Sequence, residues 1–184
     1  MKYKIYLAGP FFNKESRALI QKLLDNLEIN GHEIFSPMRD GIMCPKDASL
    51  EKRKEVFKLD CLKIDWADCV VAILDYPLPI QQDLIMKERT PEGISKEISI
   101  ILPDSGTIFE IGYAFGLNQH QIIQKPIIGY TEKKSGYNLM ISEALDFLAY
   151  DLLTLETIIC MFQNGKKDQI SELKKQFQRD LLEY

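Results

Sequence analysis

Apolar and polar residues alternate along the chain in two repeating patterns. Short, almost wholly apolar runs, such as residues 68–75, are typical of strands buried in a parallel sheet. Longer segments carry apolar residues every three or four positions, which is the spacing of a helix with one buried face. In residues 16–30 the apolar positions with this spacing are Leu19, Ile20, Leu23, Leu24 and Leu27.

The order of these patterns predicts one open sheet. Strands are predicted over residues 2–8, 33–35, 68–75, 126–130 and 147–150, and helices over residues 16–30, 51–65, 104–119, 138–146, 154–162 and 168–182. This alternation predicts a flavodoxin-like (Rossmann-like) α/β fold, an open parallel sheet of about five strands with helices on both faces. Ligands bind such sheets beyond the carboxyl ends of the strands. The long connection over residues 76–103 is typical of a functional flap or a disordered excursion.

Composition and charge indicate a protein with a small partner. The chain has 184 residues, of which 46% are hydrophobic and 27% are charged, as expected for one domain with a substantial core. A net charge of -4 predicts no binding to nucleic acid or to an anionic membrane, and no apolar run is long enough to span a bilayer. Four scattered cysteines, without close pairs, are typical of reduced thiols. We therefore expect a cytoplasmic protein.

Glu110 is the most unusual residue of the predicted helix 104–119. It is the only charged residue in the apolar stretch 107–117, and an unpaired buried carboxylate is costly. Residues 104–107, Asp-Ser-Gly-Thr, are typical of a helix N-terminus, so Glu110 lies about one turn into a helix that we expect to be packed on all sides. The pattern predicts a carboxylate at the mouth of a pocket. An exposed glutamate, or one favoured by the helix dipole, is an equally open interpretation.

Further acids are predicted near the same edge of the sheet. Asp60 lies on the helix before the third strand, Asp104 follows that strand, and Tyr6 closes the first strand. The chain has two histidines, not at ligand spacing, so neither a catalytic zinc nor a histidine base is expected. It has no glycine-rich loop for a nucleoside triphosphate or a dinucleotide, and we expect no metal and no cofactor. Carboxylates alone suit chemistry at an acetal-like carbon, which predicts glycosyl transfer or hydrolysis.

At these residues the chain resembles the nucleoside 2-deoxyribosyltransferases. The resemblance rests on Tyr-Leu-Ala-Gly-Pro at residues 6–10, on Asp60, on Asp-Ser-Gly-Thr-x-x-Glu-Ile-Gly-Tyr-Ala at residues 104–114, and on Asn-Leu-Met at residues 138–140. It extends over residues 3–151. We therefore expect a family domain over residues 1–151, followed by a helical extension over residues 152–184 that packs on the same domain.

The resemblance implies catalytic roles for three residues. Glu110 would attack C1′ of a 2′-deoxyribonucleoside and form a covalent deoxyribosyl ester. Tyr6 would donate a hydrogen bond to Glu110 and orient it. Asp60 and Asp104 would face the base and the sugar, and Asp60 is the expected proton donor to the departing base. From the residues alone, Tyr6 can equally be a packed aromatic, Asp60 a solvated helix residue and Asp104 a helix cap.

The resemblance also implies substrate contacts and a partner subunit. Asn138 would hold the 5′-hydroxyl in the site of a neighbouring subunit, although it can equally cap its own helix. Gly9 and Met140 would contact the substrate, and Arg39 and Asp40, which match the family only loosely, would lie near the base. The expected substrates are 2′-deoxyribonucleosides and free nucleobases, and the expected assembly is a homo-oligomer, a dimer or a multiple of dimers with shared active sites.

Two other functions stay open at this point. A nucleoside 5′-monophosphate N-glycosidase would use the same glutamate but pass the sugar to water, and it would need a 5′-phosphate site. Residues 9–13, Gly-Pro-Phe-Phe-Asn, are poor in phosphate-binding donors, which favours the transferase. A non-catalytic nucleotide-binding sensor is the third possibility. The long connection 76–103 is expected to shape the base pocket, and purine-only or purine-and-pyrimidine exchange depends on the loops after the second and third strands. The helix that ends at Tyr184 extends past the usual end of the family.

Overall fold

The architecture is taken from a computed structural model. It describes residues 2–75, 84–89, 95–100, 103–120, 124–133, 137–164 and residue 172. Within these parts the strands are β1 Lys4–Ala8, β2 Glu33–Phe35, β3 Cys69–Ile73, β4 Leu84–Arg89, β5 Ser95–Ile100, β6 Ile127–Tyr130 and β7 Phe147–Ala149. The helices are α1 Lys14–Ile29, α2 Pro37–Asp40, α3 Leu50–Trp66, α4 Ser105–Asn118, α5 Leu139–Ser142 and α6 Leu152–Gln163.

Five of the described strands form one open sheet in the order β2-β1-β3-β6-β7. Each neighbouring pair is parallel, and the strand order changes direction between β1 and β3. This is the flavodoxin-like arrangement, in which ligands bind at the carboxyl ends of the strands near that reversal. The predicted fold is therefore confirmed.

Side chains of the central strands point alternately to two apolar layers. Ile5, Leu7 and Val71 pack with α1 and α6 on one face. Tyr6 and Val70 pack with α3 and α4 on the other face. Because successive residues of a strand face opposite sides, the position of Tyr6 in β1 directs its ring towards the two helices that carry Asp60 and Glu110.

Local sequence signals set the ends of α1. The Asn13 side chain accepts a hydrogen bond of 2.8 Å from the Ser16 backbone N–H, which satisfies one free donor of the first turn. Beyond the last turn, Gly31 has a φ of +87°, a left-handed conformation that glycine adopts without steric cost. This glycine turns the chain back towards the sheet, where β2 begins two residues later.

Three segments differ from the predictions. Residues 37–50 begin with the short helix α2, which Pro37 starts behind the N-cap Ser36. The predicted helix 138–146 is only the four residues of α5, because Asp146 bonds Ile127 through both its backbone N–H, at 2.8 Å, and its carboxylate, at 2.9 Å, and so returns the chain to the sheet. The long connection contains an antiparallel hairpin of β4 and β5, with Leu84 opposite Ile100.

The segment after β7 begins with a helix of the main core. In α6, Leu155, Ile158 and Ile159 are buried and pack on the same face of the sheet as α1. The predicted helix 168–182 lies outside the described residues except for residue 172. Among the described helices, none combines the length and the apolar character needed to cross a membrane.

Candidate active site

A hydrogen bond joins Tyr6 of β1 to Glu110 of α4. Tyr6 is fully buried, and its hydroxyl donates to Oε1 of Glu110 at 2.5 Å, a length typical of a hydrogen bond to an ionised acceptor. Burial raises the pKa of Tyr6 far above its ordinary range, and the charge of Glu110 raises it further. The hydroxyl therefore keeps its proton and always donates.

Opposing influences set the pKa of the Glu110 carboxyl. Burial raises the pKa of its carboxyl to about 7; the hydrogen bond from Tyr6 lowers this pKa, and the charges of Asp60 and Asp104 raise it. A carboxyl group of this kind titrates near neutral pH instead of near 4.5. Perturbed acids of this kind are concentrated at functional sites.

Asp60 of α3 is the second acid of this cluster. It is half-buried, and its buried Oδ1 atom has no hydrogen-bond partner in the described parts of the chain. Burial raises the pKa of this carboxyl to about 6. Asp60 is thus not a fully solvated helix residue, and a buried carboxylate oxygen without a partner is costly unless it carries or receives a proton.

Asp104 lies at the start of α4 and acts as the N-cap of the helix. Its Oδ2 atom accepts hydrogen bonds from the backbone N–H groups of Gly106, at 2.9 Å, and Thr107, at 3.1 Å. A Cβ atom at Gly106 would lie only 2.9 Å from that oxygen, so this turn favours glycine. The cap fixes the orientation of the first turn, and Glu110 follows in the second.

Gly9 lies where the chain leaves β1 and passes close to β3. A Cβ atom at this position would come within 3.1 Å of the Ile73 side chain, tighter than ordinary contacts. In the loop that follows, the rings of Phe11 and Phe12 stack with centroids 5.2 Å apart. The loop therefore presents aromatic surface at the carboxyl edge of the sheet.

Asn138 and Met140 lie on the exposed side of α5. The Asn138 side chain accepts a hydrogen bond of 2.9 Å from the Met140 backbone N–H, so it caps its own helix within this chain. Leu139 and Met140 are 68% and 79% exposed. In the single chain the segment does not bond to Glu110, Asp60 or Tyr6 within the described residues, and its part in a shared site stays a prediction.

Arg39 and Asp40 are bound mainly to each other. Two hydrogen bonds, of 2.8 Å and 3.0 Å, join the guanidinium to the Asp40 carboxylate. The guanidinium also bonds the Glu28 carboxylate and the Ile34 carbonyl oxygen, the latter at 2.9 Å. These contacts hold α2 against α1 and β2. Both residues therefore stabilise the packing of α2. Their contact with a base stays a prediction.

The outward face of α4 is not packed as the sequence suggested. Ile108, Phe109 and Phe115 are 37%, 49% and 41% exposed. The inward face of α4 packs on the sheet, and Thr107, Ile111 and Ala114 are buried on this face. A pocket of about 420 Å³ lies on the outward side, lined by Gly112, Tyr113, Gly116, Leu117 and His120.

Asp75 is a buried acid that sequence reasoning did not single out. It follows the apolar strand β3 and is only 5% exposed. Its carboxylate accepts hydrogen bonds of 2.7 Å from the Thr131 hydroxyl and from the Glu132 backbone N–H. The one signal in the sequence is a charge directly after a fully apolar strand. No group of three or more potential metal ligands occurs in the described parts of the chain.

Known proteins are similar to this chain. A model of the family described as nucleoside 2-deoxyribosyltransferase matches residues 5–169. The 2-deoxyribosyltransferase from the psychrotolerant bacterium Bacillus psychrosaccharolyticus is similar to this chain, with 29% identity and a TM-score of 0.61, over 83% of this chain and 90% of that one.

A second solved structure is similar in fold alone. It is a conserved protein from Enterococcus faecalis V583, with 16% identity and a TM-score of 0.56, over 96% of this chain and 99% of that one. No curated protein matches the chain at a significant level. The family match covers most of the described core together with Tyr6, Asp60, Asp104 and Glu110, and the chain therefore belongs to the nucleoside 2-deoxyribosyltransferase family.

Proposed function

We propose that this protein transfers 2-deoxyribose between nucleobases through a covalent ester on Glu110. The observation that carries the proposal is the bond from the buried Tyr6 hydroxyl to Glu110 Oε1. It holds one carboxylate oxygen and leaves Oε2 for attack on C1′ of a 2′-deoxyribonucleoside. As the C1′–O bond forms, the C1′–N bond breaks and its electron pair passes to the departing base.

Asp60 is the proposed proton donor in this step. With a pKa of about 6 for Asp60 and about 7 for Glu110, a single proton lies mainly on Glu110, and the productive state, with the proton on Asp60 and Glu110 ionised, is the minor of the two arrangements. The proton of Asp60 passes to the leaving base as the bond to C1′ breaks. In the second half of the reaction the incoming base attacks C1′ and releases Glu110, and its proton returns to Asp60.

Asp104 supports the same site from the start of α4. Its backbone and side chain fix the first turn of the helix, and its charge raises the pKa of Glu110. We propose that the oxygen not engaged in the cap contacts the sugar. Gly9 allows the β1 loop to approach β3 closely, and the substrate fits against this loop.

The complete site is proposed to need a second subunit. Leu139 and Met140 are exposed apolar residues beside Asn138, and exposed apolar surface of this kind marks an interaction site. In a symmetric dimer each subunit would lend this segment to the other. The partner's segment would cover the 5′ end of the sugar and keep water from the ester.

A base-exchange assay tests the proposal. Deoxyinosine mixed with free adenine should yield deoxyadenosine, and inosine should react far more slowly because a 2′-hydroxyl withdraws electrons from the oxocarbenium-like transition state. Mass spectrometry of the protein with deoxyinosine should find an adduct of deoxyribose mass on the peptide that carries Glu110.

Matched variants make the assay specific. Glu110→Ala should lose exchange and the adduct together, by about a thousandfold or more in kcat. Glu15→Ala, which removes an exposed glutamate from the first turn of α1, should keep both. Release of free base and sugar without a new nucleoside would identify a hydrolase instead, and no product at all would favour a binding protein.

A further inference from the structure

We propose that Asp75 is a positioning residue that fixes the segment carrying Asn138. The inference rests on the proposed function, because it concerns how that site is closed. Asp75 lies two residues after the end of β3, and its partners Thr131 and Glu132 follow β6. A single side chain thus joins the segments that follow two neighbouring strands, at the carboxyl edge of the sheet.

Both oxygens of the Asp75 carboxylate are used in this link. Oδ1 accepts the Thr131 hydroxyl and Oδ2 accepts the Glu132 backbone N–H, each at 2.7 Å. Thr131 is fully buried, and its backbone N–H donates to the Ala149 carbonyl oxygen at 3.0 Å. The carboxyl ends of β3, β6 and β7 are therefore linked through one buried carboxylate.

The turn after β6 is further held through side chains. The Thr131 hydroxyl oxygen accepts a hydrogen bond of 3.1 Å from the Lys133 backbone N–H. The Glu132 carboxylate accepts hydrogen bonds from Lys22 of α1, at 2.5 Å, and from the Tyr130 hydroxyl, at 3.1 Å. The conformation of residues 131–133 is thus fixed from the sheet and from α1.

The hydrogen bonds of Asp75 are not needed to complete the backbone ladder between the parallel strands. A parallel strand can end without a buried charge, and a carboxylate removed from water is costly unless it is fully hydrogen-bonded. The buried carboxylate of Asp75 lies at the start of the connection that leads to Asn138, seven positions after Thr131. The far end of the same stretch is attached by Asp146, whose carboxylate accepts the Ile127 backbone N–H at 2.9 Å.

Asp75 and Asp146 thus hold opposite ends of one segment. Asp146 lies at the amino end of β6 and Asp75 at its carboxyl end, where the substrate is proposed to bind. Loss of the Asp75 bonds releases the end that leads directly to residues 137–142. The Asn138 side chain then loses its fixed position over the 5′ end of the sugar, and water reaches the ester.

Four variants separate this role from a general effect on stability. Asp75→Asn places an NH2 group opposite one of the two donors, and Thr131→Val removes the hydroxyl donor at almost unchanged volume. Thr131→Ser keeps the hydroxyl and is the conservative control. Asp68→Asn disturbs a carboxylate bond of the same kind, in which Asp68 Oδ2 accepts the Lys4 backbone N–H at 3.0 Å, at the amino end of β3 and away from the segment.

Two measurements are made on each full-length variant. Hydrogen exchange by mass spectrometry reports on the backbone amides of residues 137–142. With deoxyinosine and adenine, the ratio of free deoxyribose to deoxyadenosine reports how often water intercepts the ester. Asp75→Asn and Thr131→Val should speed exchange of these amides by about tenfold to a hundredfold, which is the range for one lost charged hydrogen bond, and should raise the ratio.

The two controls should leave both measurements near their wild-type values. Unchanged amide exchange in Asp75→Asn, or an equal increase in Asp68→Asn, would overturn the positioning role. Faster amide exchange with an unchanged product ratio in an active protein would overturn its link to the site. A wild-type protein that forms no deoxyadenosine would refute the proposed function, and hydrogen exchange would still decide whether Asp75 fixes the segment.

Discussion

At the scale of single residues, Glu110 and Asp60 form a coupled pair of carboxyls. Burial raises the pKa of each, and the charge of Asp60 also raises the pKa of Glu110. Their apparent values of about 7 and about 6 belong to the pair as a whole. The state in which the pair holds a single proton is therefore most populated between these values.

This coupling predicts a bell-shaped pH profile of kcat/KM. Below about pH 6 both groups hold protons and the nucleophile is lost; above about pH 7 both are ionised and the proton donor is lost. Asp60→Asn should remove the alkaline limb and lower the pKa of Glu110, which moves the acidic limb to lower pH. Steady-state rates across the pH range test this expectation.

Asp65→Asn is the matched control for the profile. Asp65 lies on the same helix but is exposed and accepts a hydrogen bond of 3.2 Å from the Tyr113 hydroxyl. This variant should keep both limbs. A flat profile in the wild type, or an unchanged alkaline limb in Asp60→Asn, would remove Asp60 from the role of proton donor.

Some of these residues were accessible from the sequence and others were not. Glu110 and Asp104 stand out because a charge within an apolar helix and a capping motif are local signals. The partner of Asp75 lies 56 positions away, and no local pattern encodes such a contact. Arg39 shows the same limit, because its bond to Glu28 of α1 depends on how two helices meet.

At the scale of elements, Lys125 joins the ends of the two helices that carry the acids. It is only 6% exposed, and its ammonium donates to the carbonyl oxygens of Ile64, at 2.5 Å, and Asp65, at 3.2 Å, in the last turn of α3. Its backbone bonds the side chain of Asn118, at the end of α4. Burial lowers the pKa of this ammonium, which is nonetheless well placed at a helix C-terminus.

Lys125→Met should therefore destabilise the fold. The methionine fills most of the volume of the lysine stem but leaves the carbonyl groups of α3 without their donor, so we expect a loss of about 1 to 3 kcal/mol in the free energy of unfolding. Denaturant titration measures this difference. Lys52→Met, which removes an exposed ion pair with Glu55, should cost about 0.5 kcal/mol or less. Equal losses would contradict the bridging role of Lys125.

Elements of the main sheet were predictable because their signals are local. The apolar run of β3, the apolar spacing in α1 and the capping motif of α4 placed those elements correctly to within a few residues. The end of α5 was missed because it depends on Asp146 bonding a distant strand. The hairpin of β4 and β5 was missed because its strands pair with each other outside the main sheet, and charged residues such as Lys87 obscure their pattern.

At the scale of the whole molecule, exposed apolar residues suggest how the proposed site is completed. Leu139 and Met140 of α5 are exposed, and so is the apolar outward face of α4. If Asn138 works in the site of the partner subunit, two inactive variants should complement each other. Mixing Glu110→Ala with Asn138→Ala, after exchange of subunits, should restore about a quarter of wild-type exchange, because half of the random dimers contain one intact site.

As a control, each variant is taken through the same subunit-exchange procedure alone, and it should stay inactive. Sedimentation or light scattering at the assay concentration establishes the assembly. A fully active monomer would exclude Asn138 from a shared site, and so would the absence of complementation between variants that demonstrably exchange subunits.

The position of Tyr6 has a consequence for how the family domain can diversify. Tyr6 lies within β1, a strand hydrogen-bonded to neighbours on both sides and wholly buried from Ile5 to Ala8. The residue proposed to aim the nucleophile thus belongs to a buried strand of the sheet, whereas Arg39 and Asp40, expected near the base, belong to α2 in the connection after β2. On the proposed function, insertions and replacements in such connections can alter which bases are accepted without moving Tyr6.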